Sequence, residues 1–483
     1  MPDSPTSEPE SDFVCECEEQ VRPACEGERF YKEYEGKRYC VFHFPNQDKR
    51  SEFDTAVKQK LDRQDFDFRG VWFPRAAVFK DFYFSGVADF YFATFNGPVD
   101  FSFAKFTRAA IFQGAKFFKE AKFSSATFHE DASFAFTKFA ADASFTDVTF
   151  VDNAFFLATN FAVGAHFYVV KFRANAYFVG VSFGSDANFA DCQFNGEANF
   201  KRTTFNGITS FWDSRFSGNA IFREVAFANE LTFRQAVFSD YLEFTGTHNN
   251  RMFGDPSSLN LQFAKIEKPD RVSFHTLSLH PHWFVNVDAR RFDFINIHWR
   301  NYGKAKSELK LLNDMPSRHG LLVITCRQLA ANAEANDRYR SASQFRRMAM
   351  DAERFENWRG LDFRKLNWWY WLASGYGERP FQALLVLIAI LLVCGGLYTK
   401  VGFVRWEPKL ASEADIVVAK RDDVGAPLKL SRALTYSAAV MTFQKPEPRP
   451  ATSAAQTVVL LETILGPVQA ALLALAIRRK FMR

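Results

Sequence analysis

Cys15, Cys17, Cys25, Cys40 and His43 crowd into the N-terminal part of a 483-residue chain, spaced C-x-C-x7-C-x14-C-x2-H. Thiolates and an imidazole at such close quarters suit a tetrahedral zinc ion. The C-x2-H pair has good ligand spacing, whereas C-x-C is not the usual zinc-ribbon knuckle. The alternative is a set of reduced, partly buried cysteines in a small capping module. A second residue with chemistry is Glu462, an acid inside an apolar run over 457–477. An ionisable group in such a run is expensive and is a functional candidate by default. Its plainer reading is a place near the outer interface, hydrogen-bonded to Arg432 or to the backbone of a preceding short helix. Gly466-Pro467 would kink the same run, because proline lacks a donor and clashes with the preceding turn. That suits a hinge or a static bend. Cys192 and Cys394 read as inert. No Ser-His-Asp set, nucleotide loop or paired carboxylate with a plausible cleft is read, so no enzyme is expected.

What positions these groups is a repeat. From Phe68 to Phe244, Phe recurs at gaps of five and six in strict alternation, 33 times over sixteen eleven-residue periods. A small residue sits two positions before alternate Phe, as at Ala88, Ala110, Ala121 and Ala132, with a looser set including Thr137, Val148, Thr159 and Ser214 before the others. A flat strand is excluded, because an odd gap would turn successive Phe to opposite faces. A helix would set the two Phe of each period roughly 140° apart, and the Gly, Asn, Asp, Thr and Val between them are poor helix formers. A chain that turns a corner after each short extended face, a β-solenoid, brings every Phe inward.

The pattern over 64–244 resembles the pentapeptide-repeat family, in which a small residue at i−2 and Leu or Phe at the centre of each face build a right-handed, four-sided β-helix. The resemblance implies a right-handed quadrilateral β-helix here. The extra residue in every second repeat raises the coil to 22 residues, and a bulge at two of the four corners is expected to hold it. Eight such coils make a rod about 38 Å long at ~4.8 Å per strand. Buried Phe at ~1.5–3 kcal/mol each make its core ample without cofactors, and these Phe are structural.

A formal charge of +5 is small for this length and does not point to nucleic acid. Residues 65–250 hold 19 Asp/Glu against 16 Lys/Arg. That balance cannot imitate duplex phosphate density, so a DNA-mimicking topoisomerase binder is set aside. Seven Cys, an odd number with four crowded into the first 40 residues, argue against a secreted disulfide framework. The acidic, polar start reads as no signal peptide.

Residues 1–14 read as a disordered tail and 15–63 as the Cys/His cap, ending in a helix over 51–63 with Ser51 as N-cap. Residues 245–303 read as irregular β-coils. Residues 304–360 read as a helical linker in which Pro316 with Gly320 ends a first segment before a hairpin of 321–335 and 338–358. Trp368, Trp369, Tyr370 and Trp371 give 361–380 an interfacial character. Two spans follow, at 381–399 and 457–477, joined by a loop over 400–456 and closed by a basic tail over 478–483. Two spans put both termini on one side. The Arg/Lys before 381 and the RRK-x2-R tail make that side the cytoplasm of a plasma (inner) membrane.

Within the loop, 430–443 (LSRALTYSAAVMTF) is helical in character and too short to span. Span, half-membrane helix, turn, span resembles the two-helix cation-channel pore modules. Ala433, Leu434, Tyr436, Ser437 and Thr442 match that family's pore helix, and Leu461, Glu462, Leu465 and Gly466 match its second span. The resemblance implies a homo-oligomer, taken as a tetramer in lipid. It makes Thr435, Tyr436, Ser437, Thr442, Phe443 and Gln444 the pore and filter candidates. Thr435 intrudes in the first match, and Phe443-Gln444-Lys445-Pro446 replaces the Gly-Tyr-Gly type of filter whose carbonyls bind potassium. The expectation is a channel-like protein, not potassium-selective, gated by its cytoplasmic solenoid. The alternative is a non-conducting, membrane-tethered scaffold offering its β-helix faces to a protein partner.

Overall fold

The computed structural model describes residues 13–25, 27–247, 252–356, 364–404 and 427–481. The expected tail up to residue 12, the linker end at 357–360, the start of the aromatic segment at 361–363, the loop over 405–426 and residues 482–483 lie outside the described residues. The chain divides into two compact units at 332/333.

The first unit is a β-solenoid of about 10 turns, made of four parallel sheets with ten, eight, nine and nine strands. Most strands are two residues long, and each pairs with the fourth strand along the chain. Ala110 lies opposite Ala132 and Phe117 opposite Phe139. In each five-residue gap the chain turns through a left-handed residue. Val71 N–H donates to the Phe68 carbonyl at 3.2 Å, with Gly70 at φ +67°. Positive φ recurs at Asp81, Phe92, Phe103 and Gly114. These are type II turns, whose third position requires φ > 0. The six-residue gaps, such as Phe73 to Phe79, close without one among the described residues.

The odd gaps thus bring every Phe of the series inside. Phe90 stacks on Phe112 at 4.9 Å and 3°, and Phe101 meets Phe112 edge-on at 5.4 Å and 81°. The stacking distance matches the strand spacing, so rings and backbone repeat in step. The looser small positions also have a cause. Thr137 and Thr159 donate from Oγ1 to the carbonyls of Phe112 and Phe134 at 2.7 Å, and Ser214 Oγ donates to Phe189 at 2.6 Å. Small size or a short donor both suit that site. Cys192 uses its thiol in the same way, on the Phe167 carbonyl, and burial pushes that thiol up from its ordinary pKa.

Beyond Phe244 the register lengthens and then shortens, with Phe244 opposite Phe274 and Phe274 opposite Phe294. Helices α2 (Ala305–Leu311) and α3 (Arg318–Ala335) follow. The Asn332 amide donates to the carbonyls of Ala289, Arg290 and Phe292 at 3.1, 3.1 and 2.7 Å. It thereby occupies acceptors that the last coil would otherwise leave open. Gly320 lies inside α3 rather than at a break; the chain turns instead at Ser317, which has φ +58°.

At the other end, α1 (Arg50–Asp62) starts one residue earlier than expected. Ser51 is not its N-cap. Lys49 holds that position without a side-chain cap, following a 3-10 turn over Gln47–Lys49, and Ser51 Oγ bonds Glu52 instead. Phe53 of α1 meets Phe73 edge-on at 5.5 Å, and Trp72 N–H donates to the Phe42 carbonyl at 3.0 Å. These contacts join the N-terminal module to the first coil.

The second unit holds α4 (Tyr339–Phe355), α5 (Leu366–Ser374), α6 (Pro380–Tyr398), α7 (Leu430–Met441) and α8 (Ser453–Phe481). In α4, Phe345, Met348, Ala349 and Ala352 are buried, as the apolar stripe requires, while Phe355 is only half-buried. Helix α5 ends at Gly375, whose φ of +54° lets its N–H cap the Trp371 carbonyl at 2.8 Å. By length and composition, α6 and α8 can cross a membrane. At ~1.5 Å per residue α6 is about 28 Å long, close to a bilayer core of ~30 Å. Helix α8 begins four residues before the expected 457.

Candidate functional site

The membrane-type helices converge on one acid. Glu462 of α8 is fully buried. Tyr398, the last residue of α6, donates its hydroxyl to Glu462 Oε2 at 2.5 Å, and the Ser437 hydroxyl of α7 donates to Oε1. Ser437 Oγ also lies 3.2 Å from the Leu391 carbonyl of α6. One carboxylate therefore ties together all three helices of the span–half-helix–span layout. Its partners are two hydroxyls, not Arg432 or the α7 backbone as the plainer reading supposed.

Apolar packing surrounds this knot. Tyr436 meets Tyr398 and Phe403 edge-on at 5.1 and 5.0 Å, and Tyr398 meets Phe403 at 5.6 Å. Ala433, Val440 and Leu428 complete the cluster, with Cys394 partly buried against it. Helix α7 approaches both neighbours closely. A Cβ on Gly395 would lie 2.7 Å from Leu434 Cδ2, and one on Gly466 would lie 2.8 Å from Met441 Cγ. Gly466 thus has a packing role beside the hinge role read for Gly466-Pro467, and Pro467 stands inside α8.

Six pore and filter candidates fall into two groups. Tyr436 and Ser437 point into the knot with Glu462. Thr435, Thr442, Phe443 and Gln444 are exposed. Helix α7, with twelve residues, reaches only ~18 Å, too short to span. It ends two residues before the expected 443, through a left-handed Phe443 at φ +59°. Gln444 N–H donates to the Ala439 carbonyl at 2.9 Å and Phe443 N–H to Val440 at 3.1 Å, the paired bonds of a Schellman stop.

Reading by residue type missed two contributors. They are Tyr398, at the end of the first apolar run, and Gln469, within the second. The Gln469 amide donates to the carbonyls of Ala373 and Ala383 at 2.7 and 2.8 Å, fastening α8 to the end of α5 and to the first turn of α6. A polar side chain inside an apolar span was the available signal. Arg479, in the last turns of α8, donates to the Tyr376 carbonyl at 3.1 Å.

Two further clusters lie in the first unit. Cys15, Cys17, Cys25 and His43 place one donor atom each within 4.8 Å of one another, and Cys40 Sγ lies 3.3 Å from His43 Nδ1. The other cluster was not foreseen. Glu308, fully buried on α2, accepts from His280 Nδ1 at 2.9 Å, His282 Nδ1 at 2.7 Å, the His282 amide at 3.0 Å and Asn301 Nδ2 at 2.9 Å. Burial alone would raise this carboxyl, but the imidazole and amide donors outweigh it and hold it at about 2.

Residues 167–215 match the family model for pentapeptide repeats, in nine copies, and this match supports a pentapeptide-repeat protein. No curated protein and no solved structure matches the chain.

Proposed function

We propose that the chain is a membrane-embedded, channel-like protein that assembles as a homo-oligomer, with a tetramer as the working arrangement. Its solenoid and C-terminus lie in the cytoplasm of a plasma (inner) membrane. In this reading the four parallel sheets are the faces of a right-handed quadrilateral β-helix with 22-residue coils, and α7 is a re-entrant half-membrane helix. The observation that carries it is the knot at Glu462. A helix too short to span is fixed between two helices able to span, through hydroxyls of α6 and α7 on a single acid of α8. Buried polar groups in an apolar bundle are tolerated when fully paired, and this pairing gives α7 one defined seat.

Such a seat would aim the exposed end of α7, Thr442-Phe443-Gln444, toward an axis shared by several copies. Without a Gly-Tyr-Gly type of segment, the opening would not strip potassium of its water selectively. This reading includes no catalytic step. The solenoid would act as the gating or sensing body, its faces open to a protein partner.

The test is the purified full chain in detergent and in liposomes. A stable oligomer that passes small cations under voltage or membrane tension is the expected result. A monomer that passes no ions under voltage, tension or added ligand would leave the tethered scaffold. That second reading is favoured by the Phe443-Gln444-Lys445-Pro446 sequence at the filter position. It predicts that partner binding survives when an unrelated anchor replaces the last 110 or so residues, roughly the two spans and their loop.

A further inference from the structure

The N-terminal module brings five soft donors together with no disulfide among them, since all the cysteines are free thiols. Cys17 Sγ and Cys25 Sγ are 3.9 Å apart, and Cys15 Sγ and Cys40 Sγ lie 3.8 and 3.3 Å from His43 Nδ1. A tetrahedral zinc with Zn–S of ~2.3 Å and Zn–N of ~2.0–2.1 Å has ligand edges of about 3.8 Å between sulfurs and about 3.5 Å from sulfur to nitrogen. The Cys17–Cys25 separation lies just above the first of these edges, and the two separations from His43 fall on either side of the second. The sulfur–sulfur distance is too long for a disulfide, whose sulfurs are ~2.05 Å apart.

The surroundings are also built for a cation. His43 Nε2 lies 2.9 Å from the Arg69 carbonyl, which can only accept, so the proton sits on Nε2 and the Nδ1 lone pair faces the sulfurs. An outer carbonyl fixing the tautomer of a ligating imidazole is the usual companion of zinc histidines. The Cys40 amide donates to Cys15 Sγ at 3.3 Å, which favours a thiolate there. Cys15, Cys25, Cys40 and His43 are buried, so the site is closed to substrate.

We propose that this module is a structural zinc site in which His43 Nδ1 and three of the four thiolates, Cys15 among them, hold one tetrahedral ion. Cys15, Cys17, Cys25 and His43 form the set whose donors all lie within 4.8 Å. Cys40 is the remaining sulfur. Zinc here would lock the strands Lys32–Tyr34 and Lys37–Tyr39, and the turn at Arg22–Cys25, against the first coil at Arg69. It would stabilise the end of the solenoid where the aromatic stack begins.

The experiment is elemental analysis of the full chain, purified without chelator from zinc-supplemented cells, beside the C15S/H43A double variant and the control C192S. About one zinc per chain is expected in the parent and in C192S, falling below about a tenth of that in the C15S/H43A double variant. Reconstitution of the stripped parent with cobalt should give the intense visible bands of a tetrahedral thiolate site. Far-ultraviolet circular dichroism shows whether the solenoid itself remains folded in each variant. A parent with no bound zinc that gives only octahedral-type cobalt spectra would overturn the proposal. So would full zinc content in the folded double variant.

Discussion

Tyr398 and Glu462 stand 64 positions apart, yet the tyrosine hydroxyl meets the carboxylate at 2.5 Å inside the helix cluster. Ser437 holds the other oxygen. Removing the acid strands the buried Tyr398 hydroxyl, leaves Ser437 Oγ only its longer contact with the Leu391 carbonyl at 3.2 Å, and opens a cavity. An unpaired buried polar group alone costs ~1–3 kcal/mol. Glu462→Ala should therefore lower the stability of the helical unit by about 2–4 kcal/mol. Tyr398→Phe, which removes one donor and leaves the edge-on ring contact with Tyr436, should cost about 1–2 kcal/mol. Thermal unfolding in detergent measures both. A double-mutant cycle between Tyr398→Phe and Ser437→Ala should show coupling above about 0.5 kcal/mol, because both act through one carboxylate.

The solenoid's corners offer a cleaner measurement. Ala158 and Gly180 occupy the same corner one coil apart, with φ of +51° and +68°. A Cβ at Gly180 would find its nearest neighbour, Ala158 N, at 4.0 Å, so space is not the constraint there. The left-handed region costs a non-glycine residue ~1–2 kcal/mol, offset in part by the greater unfolded-state entropy of glycine at ~0.4–1 kcal/mol. Ala158→Gly should stabilise by about 0.5–1 kcal/mol and Gly180→Ala should destabilise by a similar amount. Chemical denaturation read by circular dichroism should show midpoints moving in opposite directions.

Glu308 makes the first unit acid-sensitive. Its carboxyl sits at about 2 in the fold, against 4.5 when unperturbed. A depressed folded value stabilises fully above the unfolded one and is lost as pH falls through the folded one. The loss is therefore expected between pH ~4.5 and ~2, and amounts to about 3 kcal/mol. Glu308→Gln should flatten that part of the stability–pH curve. It should also destabilise at neutral pH, because His280 and His282 lose a charged acceptor.

How far this was legible in the residues depends on the range of each interaction. The Phe series declared a solenoid because its odd gap excludes a flat strand and its angular spacing and Gly-, Asn- and Asp-rich intervals exclude a helix, a purely local argument. The left-handed corner could not be read, since Asp81, Phe92, Phe103 and Val169 share no property except their place in the period. Tertiary register imposes φ > 0 on side chains that would avoid it. Ser51 misled for a related reason: the 3-10 turn before α1 advanced the helix start past the residue best suited to cap it. Glu462 stood out as an acid in an apolar run, but its partners lie 25 and 64 residues away. The Glu308 latch was hidden because H-x-H and a lone Glu on separate elements carry no spacing signal.

Phe443 closes the set. An aromatic residue stands at φ +59° where a Schellman stop favours glycine, and its ring is left 69 % exposed on a single chain. Both make sense if a second copy covers the ring in the assembled protein. Phe443→Gly removes the strain and keeps the helix stop, so the single-chain fold should be as stable as the parent or up to ~1 kcal/mol more so. In the proposed oligomer it should weaken assembly, because burying a Phe contributes ~1.5–3 kcal/mol, equivalent to about ten-fold or more in the association constant of each interface. Native mass spectrometry across a dilution series would show the oligomer dissociating at higher concentration in Phe443→Gly than in the parent. An unchanged dilution profile would place Phe443 against lipid instead of a neighbouring copy.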